Sequence, residues 1–173
     1  MYRAIVIRLK SLLLPEANQI MMEEKEKAWK TVSSKYLFRR PWLTVRCEDM
    51  LLPNGNHIPE YYILEYPDWV NTIAITKDGK FVFVRQYRPG LGRTSYELCA
   101  GVCDKEDASP LVSAQRELWE ETGYGKGNWQ EYMVISANPS THTNLTHCFL
   151  ATDVEPIDHQ HLEDTEDLSV HLL

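Results

Sequence analysis

Short runs of alternating apolar and polar residues dominate the chain. Residues 43–48 and 61–66 read as short strands, and the turn-forming Pro53-Asn54-Gly55-Asn56 between them predicts a hairpin. Residues 70–76 and 81–86 flank Lys77-Asp78-Gly79-Lys80 in the same way, and Phe81-Val82-Phe83-Val84 is apolar on both sides, as a central strand would be. Briefer strands are expected at 96–100, 133–137 and 146–151. One segment changes period. Leu111, Ala114 and Leu118 fall on one stripe of a helix over 110–122, with Ser109 placed to cap its start, Pro110 in its first position and Gly123 at its end. Strands outnumber helices and most neighbours can pair antiparallel. The expected class is therefore α+β, a sheet sandwich rather than a doubly wound parallel fold.

Composition narrows this only a little. The 173 residues are 43% apolar and 25% charged, as in an ordinary globular chain, with a net charge of −7. Such an acidic chain is not expected to bind nucleic acid, where phosphate neutralisation needs a basic face. Cys47, Cys99, Cys103 and Cys148 lack the paired spacing of a zinc set and read as idle thiols of a reducing, cytoplasmic compartment. Residues 1–14 are apolar, but Arg3, Arg8 and Lys10 interrupt them. The run is too short to span a bilayer, so no membrane association is expected. It reads as part of an extension, 1–28, in which Met21 or Met22 would open a plausible start ahead of the solvated run 23–27.

The chemical signal lies on the helix. In Arg116-Glu117-Leu118-Trp119-Glu120-Glu121-Thr122-Gly123, Glu117 and Glu121 are four residues apart and share a face, with Glu120 on its flank. Like charges at this spacing repel by a few tenths of a kcal/mol. Glu120 and Glu121 also lie in the last turn, where the helix dipole disfavours anions by roughly 0.3–1 kcal/mol. A bound cation would offset both penalties, and hard carboxylate oxygens select Mg2+, or Mn2+, over zinc. Arg116 is placed to pin the Glu120 carboxylate from one turn away.

The stretch from Gly101 to Tyr124 resembles the Nudix box, a glycine–glutamate–REUxEExGU pattern. Its second half, Arg116 to Tyr124, matches at every defined position. The interval from Gly101 to Arg116 is one residue longer than the pattern, and either Glu106 or Asp107 stands for its upstream glutamate. Val84-Arg85-Gln86-Tyr87-Arg88-Pro89 and Glu97-Leu98-Cys99-Ala100-Gly101 look like the VRQYR and ELPAG segments of the family's ADP-ribose pyrophosphatase branch, and 30–66 resembles that branch's N-terminal strands. The resemblance implies a Nudix-type α/β/α sandwich with a mixed sheet and an N-terminal antiparallel strand extension. It divides the chain into the extension 1–28, strands at 29–68 that pair across a homodimer, and a hydrolase domain at 69–173. Residues 166–173 look like the start of a strand that the family continues into a final helix, which is expected to be missing here.

The same resemblance implies Mg2+-dependent hydrolysis of a nucleoside diphosphate-linked small molecule, ADP-ribose first, giving AMP and ribose 5-phosphate. Carried over by position, Glu117 and Glu121 are the main metal ligands, Glu120 assists, and the Ala100 carbonyl completes the shell. Arg88 is the candidate phosphate clamp. Glu97 would bond a ribose hydroxyl or support the metals. The general base is expected in the acidic loop before the last strand, at Asp164 or Glu163, with Glu166 near the metals; His142 is a lesser candidate. Trp69, Tyr36 and Phe38 are candidates for an adenine slot. The competing readings are a sugar-nucleotide or dinucleoside-polyphosphate hydrolase of the same family, and a nucleotide sensor that binds without cleaving.

Overall fold

A computed structural model describes residues 27–173, and these divide into two units. The expected extension lies almost entirely outside the described residues, as do its run 1–14 and the start at Met21 or Met22.

The first unit runs to Tyr66 and includes Ser136–Asn144. It holds an antiparallel sheet of β1 (Lys30–Arg40), β2 (Leu43–Leu51) and β3 (His57–Glu65), in that order. The β2–β3 turn closes where the sequence places it: Leu52 N–H donates to the Asn56 carbonyl at 2.9 Å, and Asn54 Oδ1 accepts from Asn56 N–H at 3.0 Å. Glu48 is buried on β2, and its carboxylate accepts from Arg46 Nε at 2.6 Å and from the hydroxyls of Thr31 and Ser34. The segment 136–144 is tied to β3 through Leu64, whose N–H donates to Thr141 and whose carbonyl accepts from Thr143. Residues of β1 are exposed along its whole length, which is why no alternation marks it in the sequence.

The second unit, Pro67–Ile135 with Leu145–Leu173, is an eight-stranded mixed sheet carrying one helix. Its elements are β4 (Trp69–Thr76), β5 (Phe81–Arg88), β6 (Arg93–Glu97), β7 (Cys99–Val102), α1 (Pro110–Thr122), β8 (Tyr124–Gly125), β9 (Asn128–Ile135), β10 (Thr146–Pro156) and β11 (Leu168–Leu172). The central path is β11-β5-β4-β10-β8. Every pairing is antiparallel except that of β4 with β10. β4 and β5 pair only beside their turn, at Ala74–Val82 and Ile75–Phe81, and then part company. β6 fills the gap on the β5 side and β7 on the β4 side. The single strand expected at 96–100 is therefore two, broken at Leu98 where the chain changes partner. β9 starts five residues before the expected 133 because its first half, Asn128-Trp129-Gln130-Glu131, is too polar to read as a strand.

The helix forms as its sequence predicts. The Ser109 hydroxyl accepts from Val112 N–H, and Gly123 ends the helix at φ 72°, with its N–H donating to the Trp119 carbonyl. Leu118, buried from solvent, joins Ala74, Val82, Cys99, Ala151 and Val154 in one core cluster. Ala114 joins Val70 and Phe149 in a second, against which Leu111 packs. The anticipated stripe is thus the face that fixes α1 to the sheet, and it sets where the helix's carboxylates project.

Candidate functional site

Two carboxylates of α1, Glu117 and Glu121, lie beside β7. Glu121 is buried, at 5% exposure, and its Oε2 accepts the Ala100 N–H at 3.3 Å. Burial raises its pKa to about 7, with the charges of Glu117 and Glu166 pushing the same way, against the Cys99 thiol and the Ala100 amide, which favour the anion. Glu117 is raised as well, first by burial, while Arg116 counters. Its carboxyl lies against Gly101: a Cβ there would stand 2.0 Å from Glu117 Cδ, so only glycine leaves room for the acid.

Arg116 organises the group. Nη1 donates to Glu117 Oε1 at 3.0 Å and to Glu120 Oε2 at 2.9 Å, the second being the pairing expected from the sequence. Nη2 donates to the Val102 carbonyl and, with Nε, to Asp107 Oδ2, and Asp104 lies 3.2 Å away. Burial works against this cation, yet Asp107, Glu117 and Glu120 together raise its pKa. Of the two residues that stood for the upstream glutamate, Asp107 is thus the one engaged. Glu106 is exposed. The longer loop keeps the contact.

Arg88 and Glu97 are brought together with each other. Nε lies 3.0 and 2.9 Å from the two carboxylate oxygens and Nη2 2.6 Å from Oε2, which raises the Arg88 pKa; Glu121 adds to the rise. β5 and β6 are neighbours, with Arg88 opposite Arg93 and Glu97 opposite Val84, and the two long side chains bridge the offset along the ladder, which sequence spacing does not show. In the acidic loop, Glu163 and Asp164 are exposed. Glu166 accepts the Glu163 N–H at 2.9 Å, and it is the loop carboxylate whose charge weighs most on Glu117 and Glu121. Trp69 is half-buried at the head of β4, its N–H on the Leu145 carbonyl, whereas Tyr36 and Phe38 are exposed on β1. His142 sits in the segment 136–144 with its ring 5.2 Å from Tyr66.

Glu117 and Glu121 are costly to ionise where they stand, and with Glu120 they offer carboxylate oxygens, the donor type that a hard divalent cation takes. Residues 66–172 match the family model described as the NUDIX domain. The chain belongs to the Nudix family. Residues 29–64 match a second model, the nucleoside diphosphate sugar hydrolase N-terminal domain. The chain is 30% identical to an ADP-ribose pyrophosphatase of Bacillus subtilis, over 80% of its own length and 74% of that protein's. It is 33% identical to a methanol dehydrogenase activator of Bacillus methanolicus, over 70% and 65%. With an ADP-ribose pyrophosphatase of Mycobacterium tuberculosis it shares 28%, over 76% and 63%. The crystal structure of an ADP compounds hydrolase superposes with a TM-score of 0.73, covering 86% of this chain and 80% of the other at 22% identity, which establishes the Nudix sandwich fold. The family and its pyrophosphatase relatives make this Nudix chain a pyrophosphohydrolase, and Nudix hydrolases depend on a divalent metal.

Proposed function

We propose that this Nudix hydrolase cleaves ADP-ribose to AMP and ribose 5-phosphate with Mg2+ as its metal, Mn2+ being an alternative. The observation that carries the reading is the pair Glu117 and Glu121 beside β7, whose ionisation is opposed by burial until a cation compensates it, with Glu120 held next to Glu117 by Arg116. These three side chains and the Ala100 carbonyl would hold the metal. When bound, a divalent metal would offset the charge of the pyrophosphate oxygens and lower the pKa of water, so that it loses a proton as it attacks phosphorus.

Arg116 holds Glu117 and Glu120 in place and leaves Glu121 facing β7. Arg88 grips a phosphate with the guanidinium edge that Glu97 does not occupy, and Glu97 fixes its orientation. Water adds to one phosphorus, the bridging P–O bond breaks, and the water's proton passes to a carboxylate of the loop 163–167. Within that loop Glu166 ranks ahead of Asp164 and Glu163 because its charge bears on the metal-ligand candidates. The first unit, 29–68 in sequence terms, pairs with a second copy through β1, whose residues are all exposed. Four free cysteines suit a cytoplasmic setting. Among the described residues no helix is long and apolar enough to cross a membrane.

A sugar nucleotide is the second reading, favoured by the match at 29–64. Phosphate-coupled hydrolysis of ADP-ribose, UDP-glucose and diadenosine polyphosphates, with and without Mg2+, decides between them. Mg2+-dependent AMP release that disappears in Glu121→Gln supports the proposal. Faster turnover of UDP-glucose replaces the substrate, and binding without turnover of any of them replaces the enzyme with a sensor.

A further inference from the structure

Beyond β10 the chain reads Asp158-His159-Gln160-His161. The two oxygens of Asp158 face different imidazoles, Oδ1 at 2.7 Å from His159 Nδ1 and Oδ2 at 3.0 Å from His161 Nε2. One ligand atom from each of the three residues lies within 4.8 Å of the other two. The segment is not a loose loop. Ile157 and Asp158 donate their N–H groups to the Gly123 carbonyl, Gln160 Nε2 donates to the Glu121 carbonyl at 2.7 Å, and His161 N–H donates to the Glu120 carbonyl at 2.8 Å. The approach is close enough that a Cβ on Gly123 would stand 2.3 Å from the Asp158 carbonyl oxygen. The His161 ring lies 4.3 Å from the Trp119 ring, tilted by 35°, and the His159 ring lies 4.3 Å from His161.

These groups sit at the C-terminal end of α1, where the helix carries partial negative charge and its last turn has no basic side chain. Asp158 is held ionised well below the usual carboxylate range, first by the His159 backbone N–H and then by His161. Two imidazoles and one carboxylate at ligand spacing suit a borderline transition metal, whereas Mg2+ asks for oxygens alone. Trp119, beneath His161, is two residues from both Glu117 and Glu121, about 200° around the helix. The histidine set therefore lies to a different side of α1 from those two carboxylates.

We propose that Asp158, His159 and His161 form a binding site for a transition-metal dication such as Zn2+, on a different side of α1 from Glu117 and Glu121. Three protein ligands leave the remaining positions to water, as in an open zinc site. Occupancy ties the segment 157–161 more firmly onto the end of the helix that bears Glu120 and Glu121.

Zn2+ titrated into the full chain against a chromophoric chelator, with Mg2+ in excess, tests this, with the visible absorption of Co2+ as a second readout. One tight equivalent is expected. Loss of a partner outside the first coordination sphere already costs about 10- to 100-fold in metal affinity, so His159→Ala and His161→Ala should each weaken Zn2+ binding at least tenfold and abolish the Co2+ band. The Glu117→Gln, Glu121→Gln double variant should keep both. His159 is exposed, so its replacement leaves the fold intact, which circular dichroism verifies. Zn2+ binding unchanged in both histidine variants, absent from the wild type, or lost only with the glutamates overturns the proposal.

Discussion

Glu117 occupies the space that a side chain on Gly101 would need, its Cδ 2.0 Å from the Cβ position. The atom in the way is the far end of a flexible side chain rather than backbone, so Gly101→Ala can be relieved by swinging the carboxylate aside. That relief keeps the fold and costs the site. The expected result is a stability loss of about 1 kcal/mol, the low end for overpacking, measured by urea denaturation, with a loss of at least tenfold in kcat/KM, or about 1.4 kcal/mol, and a higher Mg2+ requirement. A stability loss well above this with unaltered Mg2+ dependence would show that the strand moves instead.

Arg116 is the cation for Glu117, Glu120 and Asp107 together. Arg116→Ala leaves partly buried carboxylates facing one another, and a stability loss of about 1–3 kcal/mol is expected without metal. Arg116→Lys should recover only part of it, because an ammonium cannot match a planar fork that also reaches the Val102 carbonyl. Mg2+ should narrow the gap between Arg116→Ala and wild type in thermal melts, since it supplies positive charge to the same glutamates. A gap unchanged by Mg2+ would mean that the metal does not bind there.

How far the sequence alone reaches follows the range of each interaction. α1 and its caps were legible to the residue, because Ser109, Pro110, Gly123 and the Leu111-Ala114-Leu118 stripe act locally. So were the two hairpin turns and the shared face of Glu117 and Glu121. The split of 96–100 at Leu98 was not, since it depends on β4 and β5 parting. The Arg88–Glu97 pair was hidden for a similar reason: it needs β5 and β6 side by side and two side chains that reach across a four-residue offset in their register. Asp158, His159 and His161 carry no signal by spacing alone. Their convergence needs the backbone bonds to Gly123, Glu121 and Glu120. The prominence of Glu166 over Asp164 and Glu163 likewise depends on how the loop folds.

The exposed apolar surface of the first unit gives a prediction about assembly. Trp42 is 81% exposed in the β1–β2 turn, and Val32, Leu37 and Phe38 are exposed along β1. An open edge strand carrying such residues invites pairing with another strand. Light scattering after size exclusion should give the mass of a dimer for the wild type. Phe38→Asp combined with Trp42→Asp should give a monomer, because two charges at a closing apolar surface cannot be left unpaired. A wild-type monomer at micromolar concentration would remove the homodimer from the proposal.

Glu155 ties two lysines that are distant in sequence, with Lys77 Nζ 2.7 Å from Oε2 and Lys126 Nζ 2.6 Å from Oε1. The hydrogen bonds and charges of Lys126 and Lys77 lower its pKa to about 2. A carboxylate whose folded pKa lies below its unfolded value of 4.5 binds protons more readily in the unfolded chain, so its contribution is complete above pH 4.5 and disappears as the pH falls through 2. Wild type should therefore lose stability relative to Glu155→Gln across that window, and the two should converge at its acid end. Because all three groups lie at the surface, added salt should shrink the difference at neutral pH. Thermal melts of both proteins from pH 2 to pH 7 at low and high salt measure it, and parallel curves with no convergence would show that the bridge contributes nothing to folding.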